Sequence, residues 1–325
     1  MKVAYIQSTS SGVNYHRLAN PLSYLDHEVT AYNTIPLDKV NEVECDVLIF
    51  SRYMIESEQT DIIHKFKARG TKVILDVDDH WSLPNDHPAK EAYKVHKIAA
   101  RSIEAIRMAD QIWTTHQRLA DEIRRCGGSK VRIYPNALDP TDEQWKVNRT
   151  KSNRLRIGFT GGSTHDRDLY ETAKAWKIAH ASEQDIEAVM CGVNEQAYEV
   201  YDRYHYIMSG GGSGRVRPIQ KMDVHNYGCL YDHMDVSIAP LADNSFNRFK
   251  SNLKIVESGM KGTPIMCSWM HPYIDEAPGI YKTDNWRKGF AKIMRKSKAR
   301  LEDEGDQLRE YVVKNYDIRN HKREL

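Results

Sequence analysis

The chain has 325 residues, 40% of them hydrophobic and 28% charged, with a formal net charge of +2 and a mean hydropathy of −0.66. That length suits two soluble globular domains of about 150 residues, each able to bury its own core. No run approaches the ~18 uninterrupted apolar residues of a membrane span, and the KVAYIQ start reads as a strand, not a signal peptide. The near-neutral charge neither demands nor excludes an anionic partner.

Short β-rich runs come first: residues 2–7, 27–33, 45–50, 72–77, 111–115 and 131–136. Between them, residues 13–25, 56–69, 88–108 and 117–126 carry helical apolar periodicity. Strands alternating with helices imply a parallel sheet covered on both faces. The polar, unpatterned stretch 141–154 reads as a linker. A second series follows at 156–160, 186–191, 215–219, 235–240 and 263–268, again with helices between. Two α/β halves with strand ends facing a central cleft are the expected architecture, with Rossmann-like domains at 1–145 and 154–284. Residues 285–325 form a charged helical segment packing back. Its basic residues Arg287, Lys288, Lys292, Arg295, Lys296, Lys298 and Arg300 are diluted by Glu302, Asp303, Glu304 and Asp306.

The five cysteines (Cys45, Cys126, Cys191, Cys229, Cys267) are odd in number and share no metal-like spacing, which points to a reducing, cytoplasmic setting without a zinc site. The SGGGSG run at 209–214 lacks the Gly-Lys-Ser/Thr ending of a phosphate loop and reads as a flexible connection. His225 and His233 read as residues of one helix, without a third ligand.

Residues 235–269 are the most informative stretch. They read as a buried strand, a Pro-Leu-Ala-Asp-Asn loop, a helix from about Lys250 to Met260 and a second short strand. A helix starting beside Lys250, Ser251, Asn252 and Leu253, just after a strand, offers free N–H groups and a dipole to phosphate. Glu257 lies two turns on, where a carboxylate can hold ribose hydroxyls. In RIGFTGGSTHDRDL, Gly161 and Gly162 let backbone approach a ligand closely, and Ser163 reads as an N-cap. Asp76, Asp78, Asp79 and His80 follow another buried strand. They are open to three roles: metal binding, base catalysis, or local capping of a turn.

The order of these segments resembles the compact GT-B glycosyltransferases of bacterial or phage type, most closely the retaining family-4 enzymes. The resemblance rests on AYIQSTSSGVNYHRLANPLSYL, ILDVDDHW, IWTTHQRLADEI with VRIYPNALD, and RIGFTGGSTHDRDL with KSNLKIVESGMKGTPIMCS. It implies transfer of a sugar, with retention, from a nucleoside diphosphate sugar of UDP or GDP type to an acceptor hydroxyl. No tightly bound cofactor and no essential metal are expected. The donor is held by Gly161, Gly162, Lys250, Ser251, Asn252, Leu253 and Glu257, with the base near Arg217, Pro218 and Ile219. Asp78, Asp79 and Lys254 are the candidate catalytic residues, Lys250 and Lys254 serving the leaving-group charge. Gly12 and Arg17, with Ser11, face phosphate or acceptor; His80 orients the acceptor. Tyr15 and His16 fit either that site or helix packing. Family-4 enzymes often carry two glutamates eight positions apart; Glu257 matches the second, but Phe249 stands at the first. The donor sugar then falls to Asp243, Asn244 or Asn247. The acceptor is a saccharide or envelope precursor, or a hydroxylated base in DNA. A non-catalytic sugar-nucleotide sensor of the same fold is the alternative.

Overall fold

The computed structural model describes residues 1–7, 12–54 and 56–321, and of Glu195 the backbone alone; Ser11 lies outside the described residues. Two compact units emerge. The first comprises Met1–Ala137, the short segment Phe249–Ser251 and the chain from Ile318 on; the second comprises Leu138–Arg248 and Asn252–Asp317.

The first unit runs β1 (Lys2–Ile6), α1 (Gly12–Asn14), a π turn (Tyr15–Ala19), α2 (Asn20–Leu22), β2 (Glu28–Tyr32), a 3-10 turn (Leu37–Glu42) and β3 (Val47–Ser51). It continues with α3 (Gln59–Ala68), β4 (Lys72–Val77), α4 (Lys90–Val95), α5 (Ile98–Met108), β5 (Gln111–Thr114), α6 (Gln117–Arg125) and β6 (Val131–Ile133). The strands form one parallel sheet in the order β2-β1-β3-β4-β5-β6. β4 and β5 are nearly continuous apolar runs, buried along almost their whole length, as strands covered on both faces must be. One face packs Leu48, Phe50 and Leu75 on Ile62, Phe66, Ile106 and Ile123; the other packs Val3, Ile49 and Trp113 on Leu18 and Leu22.

The second unit begins with a 3-10 turn (Glu143–Trp145) and runs β7 (Leu155–Thr160), α7 (Asp166–Tyr170), α8 (Ala173–His180), β8 (Ile186–Val193), α9 (Tyr198–Met208) and β9 (Val216–Gln220). A 3-10 turn (Tyr227–His233) leads to β10 (Val236–Ala239), α10 (Leu253–Met260), β11 (Ile265–Ser268), β12 (Ile280–Thr283), α11 (Trp286–Met294) and α12 (Lys298–Tyr316). Its parallel order is β12-β11-β10-β7-β8-β9. Each sheet therefore starts in its middle and grows first one way, then the other. The reversal falls between β1 and β3 in the first unit and between β7 and β10 in the second. At such a switch point, consecutive loops diverge at the strands' carboxyl ends and leave room for a ligand.

Several local expectations change. The stretch 141–154 is not wholly open: Gln144 and Trp145 are buried, and Gln144 Oε1 accepts the Gly228 N–H at 3.1 Å. An indole is too large an apolar surface to leave in water, whatever the polarity around it. β12 went unread because its IYKT sequence is short and carries a lysine. The helix expected from Lys250 starts at Leu253, behind a 3-10 turn at Asn247–Phe249. Ser163 is not an N-cap, since α7 begins at Asp166 with His165 in that position. His225 precedes the 3-10 turn that ends at His233, so the two histidines share no helix. In the charged C-terminal stretch, Lys296 and Arg300 pair with Glu304, Lys298 with Asp235, and Lys292 lies over the Tyr281 ring. The SGGGSG run closes α9 in a turn of three left-handed glycines. Among the described residues no helix is long and apolar enough to cross a membrane.

α10 ends in a Schellman turn: the Gly262 N–H reaches Gly259 O, the Thr263 N–H reaches Ser258 O, and Gly262 is left-handed at φ +62°. α12 crosses there at backbone distance. A Cβ on Gly305 would stand 2.1 Å from the Gly262 carbonyl oxygen, and one on Gly259 would stand 2.4 Å from the Val312 side chain. Gly305→Ala should therefore lower the unfolding free energy by about 1–3 kcal/mol despite alanine's better helix propensity. Chemical denaturation tests this, and an unchanged or raised midpoint contradicts the close crossing.

Candidate active site

The second unit's switch point is built by two loops. After β7 the chain passes Gly161 and Gly162 to reach His165. A Cβ on Gly161 would stand 2.4 Å from the Phe159 ring, whereas one on Gly162 would meet nothing within 4 Å. Gly161 is thus required by packing, and Gly162 leaves its backbone open to approach. After β10 the chain runs through residues 240–252 to α10. Asp168, almost wholly buried in α7, joins the two loops. Its Oδ1 accepts the Ala242 N–H at 2.9 Å and the Asn247 amide at 2.7 Å, and its Oδ2 meets His165 Nδ1 at 2.8 Å.

α10 contributes a buried polar chain. Lys254 Nζ donates to Glu257 Oε2 at 2.9 Å and to the Tyr227 hydroxyl at 2.5 Å. The Tyr231 hydroxyl donates to the same Glu257 oxygen at 2.8 Å and lies 3.0 Å from Thr160 Oγ1 at the end of β7. Lys254 and Glu257 stand three apart and so share a helix face. Glu257 is only 2% exposed. Burial would lower the Lys254 pKa, but Glu257 and Tyr227 outweigh it and raise it. Burial, reinforced by Glu257, holds the Tyr231 hydroxyl well above its usual range. The result is an ammonium held on α10 by a hydrogen-bonded chain that reaches Thr160, the last residue of β7 before Gly161 and Gly162.

The other donor-side residues divide. Ser251 Oγ accepts from the Asn136 amide at 2.7 Å, and both residues, like Lys250, belong to the first unit. Asn252 bonds Asp275 and the Tyr316 hydroxyl through its side chain, so only its backbone and that of Leu253 stand at the helix start. Arg217 pairs with Glu187 at 3.2 Å and donates to the His233 carbonyl, while Ile219 packs beside Cys191 and Leu230. Asp243 is exposed and doubly bonded to Arg248; Asn244 caps the turn at Asn247.

In the first unit, Arg52, Asp78 and Asp79 gather at the strand ends. Arg52 bonds Asp78 through two nitrogens, at 2.6 and 2.9 Å, and Asp79 at 3.0 Å. It does so from a left-handed backbone at φ +58°, a conformation that costs a non-glycine residue about 1 kcal/mol or more. Burial would raise the Asp78 pKa, but Arg52, with Arg17 behind it, holds the carboxyl below its usual value. Arg17 does not face outward as expected. It is 1% exposed, bonded to Asp76 and to the Tyr134 carbonyl, and acts as an internal strut. Gly12 opens α1 with nothing near its Cβ position. His80 is stacked between Trp81 and Phe249, each 4.6 Å away, with Nδ1 accepting the Ser82 N–H; burial lowers its pKa. Phe249 therefore anchors on His80 and under Arg118, and the His116 ring bonds its carbonyl. That packing, not sugar contact, accounts for the phenylalanine. Tyr15 and His16 lie in the π turn, His16 buried.

Sequence reasoning missed Arg52, His165, Asp168, Tyr227 and Tyr231. The His-x-x-Asp spacing behind Gly161 and Gly162 is a readable signal for the second and third; Arg52 and the tyrosines carry none. Among the described residues, no group of three or more His, Cys, Asp or Glu is arranged to hold a metal ion.

No family model matches the chain, and no curated protein sequence matches it. Solved structures do. HepE from Anabaena, crystallised with UDP and glucose, superposes with a TM-score of 0.69 at 11% identity, covering 99% of this chain and 97% of HepE. Sucrose-phosphate synthase from Thermosynechococcus elongatus gives 0.71 at 10% identity, over 99% and 96% of the two chains. A glycosyltransferase from Rickettsia africae gives 0.64 at 11%, over 99% and 96%. At such identities the likeness establishes the fold, which is GT-B: two Rossmann-like parallel sheets with a C-terminal helix.

Removing Glu257 takes the carboxylate away from the half-buried Lys254 ammonium and from the buried Tyr231 hydroxyl. Glu257→Ala should cost about 1–3 kcal/mol of stability, and Glu257→Gln, which keeps an acceptor oxygen, clearly less. Equal losses in denaturation would contradict the paired geometry.

Proposed function

We propose that this chain is a glycosyltransferase that moves a sugar from a nucleoside diphosphate sugar, of UDP or GDP type, to an acceptor hydroxyl. The observation that carries this reading is the second unit's switch point, where the open Gly161 and Gly162 turn follows β7 and Lys254, in the first turn of α10, is joined through Glu257 and Tyr231 to Thr160 at the end of that strand. It occurs in a fold shared, over nearly the whole length, with a protein that binds UDP-glucose. In the reaction, the bond from the anomeric carbon to the β-phosphate oxygen breaks and its electron pair stays on the diphosphate. The acceptor oxygen takes the carbon, with retention as in the enzymes the sequence resembles, and releases its proton. Fixed amides at residues 161, 162, 252 and 253, with Lys254, stabilise the charge that develops, without reorganising as it forms. Glu257 holds Lys254 in place and is the carboxylate proposed for the ribose. The base is proposed to lie near Arg217 and Ile219.

The first unit is proposed as the acceptor domain. Asp78, held ionised by Arg52, is a weak base but a strong hydrogen-bond acceptor, suited with Asp79 to orienting sugar hydroxyls. Arg17 of the π turn and Arg52 after β3 are bonded to three carboxylates, Asp76, Asp78 and Asp79. That excess of negative charge favours a neutral polyhydroxyl acceptor, a glycan or envelope precursor, over a hydroxylated base in phosphate-rich DNA. The protein is proposed to act in the cytoplasm, with residues 1–145 meeting the acceptor, 154–284 the donor, and 285–325 a C-terminal helical segment.

Incubation with UDP- and GDP-sugars should release free nucleoside diphosphate when glycan acceptors are supplied. Binding without release from any donor would favour the sensor reading. Lys254→Ala should slow release by about 10²-fold or more. An acceptor affinity that collapses steeply as salt rises would instead indicate DNA.

A further inference from the structure

The loop leaving β7 holds His165 in a setting unlike that of a surface side chain. Its Nδ1 meets Asp168 Oδ2 at 2.8 Å, and Asp168 is fixed in turn by Ala242 and Asn247 of the other loop. The Tyr204 hydroxyl accepts the His165 backbone N–H at 2.8 Å and donates to the Gly162 carbonyl at 3.0 Å. The ring stands edge-on to Phe159, and its Cδ2 lies 3.3 Å from the Cβ position of Gly161. The Cδ2–Nε2 edge is thus turned toward the glycine turn while Nδ1 is turned toward the carboxylate.

A carboxylate only accepts hydrogen bonds, so Nδ1 carries a proton in either charge state of the ring. The neutral ring then has a lone pair at Nε2, which repels a phosphate oxygen; the imidazolium has an N–H there. We propose that His165 is a diphosphate-binding residue, engaging the donor's phosphates at Gly161 and Gly162 in its protonated form. This rests on the donor site proposed above. When the anomeric carbon–oxygen bond breaks, the Nε2–H bonds the oxygen that keeps the electron pair, and no proton need be transferred. The titratable and charged groups near the ring are Asp168 and Asp166 on α7, Arg203 on α9 paired with Asp166, and Tyr204 on α9, with Tyr273 from the loop after β11 near Asp168. Burial holds both tyrosine hydroxyls well above their usual range. Among these groups, imidazole is the one whose ordinary titration lies near neutrality.

The test is calorimetric binding of UDP, GDP and uridine to the full chain from about pH 6 to about pH 8.5. His165→Asn keeps an amide donor where Nδ1 meets Asp168 and removes Nε2; His165→Gln puts a neutral N–H near Nε2. Comparing variant with wild type cancels the nucleotide's own phosphate titration. The expected result is that the wild-type advantage over H165N in diphosphate affinity is about tenfold or more at low pH and shrinks as pH rises through the imidazole titration. H165Q should show a flat ratio to H165N, and uridine no dependence on residue 165. Wild-type affinity and pH profile in H165N, or a matching slope for uridine, would overturn the inference while leaving the donor site standing. Should H165N melt early, H165Q carries the test: a flat profile supports the proposal and a wild-type profile overturns it. If neither UDP nor GDP binds at any pH, the donor reading itself falls, and this inference with it.

Discussion

A parallel sheet that starts in its middle must reverse its direction of growth once, and everything functional in this protein hangs on that constraint. Crossovers carry β7 to β8 and β9 on one side, then return the chain to β10, β11 and β12 on the other. The loops after β7 and β10 therefore leave neighbouring strands in opposite directions. Their backbone groups at that edge lose the sheet's hydrogen bonds and must find partners elsewhere. Asp168 supplies one, for the Ala242 N–H, and by also bonding the Asn247 amide and the His165 ring it ties the two loops together.

The same region shows why its polar residues come in chains and not singly. Glu257 and Asp168 are both almost wholly buried, and a lone carboxylate there would be costly. Each is matched: Glu257 by Lys254 and Tyr231, Asp168 by His165, Ala242 and Asn247. The first unit uses the same device at its strand ends, with Arg17 on Asp76 and Arg52 on Asp78. Networks of this kind hold side chains in one geometry before any ligand arrives, which a site that must meet developing charge requires. Arg52 keeps a left-handed backbone while serving its network, which is a cost the turn alone does not explain.

Much of this is legible along the chain. Strands buried on both faces, such as β4, advertise themselves as apolar runs; the partly exposed β2, β6 and β9 are read from short β-rich segments between turns, and β12, at four residues, goes unread. Gly161, Gly162, Lys254 and Glu257 stand out because tight turns and helix faces impose short, regular spacings. Phe249 can be seen to replace an expected acid, but not why. Its reason is a stack with His80 and a cation over its ring, contributed by residues 130 to 170 positions earlier in the chain. Arg17 misleads for the same cause: an arginine near a glycine-containing loop looks solvent-facing until Asp76 and Tyr134 are folded around it.

The sequence by itself determines most of the strands and helices, that the strands run parallel in two series, and the short spacing that puts Lys254 and Glu257 on one helix face. Those properties depend on periods of two and 3.6 residues and on local backbone freedom, which neighbours in sequence control. Only the tertiary structure decides which side chains are consumed as struts and which are turned toward a ligand. Arg17, Asn252 and Arg217 fall to the first role; Lys254 and His165 are the two proposed for the second. The difference lies in partners distant in sequence, because a buried charge is settled by whatever folding places beside it.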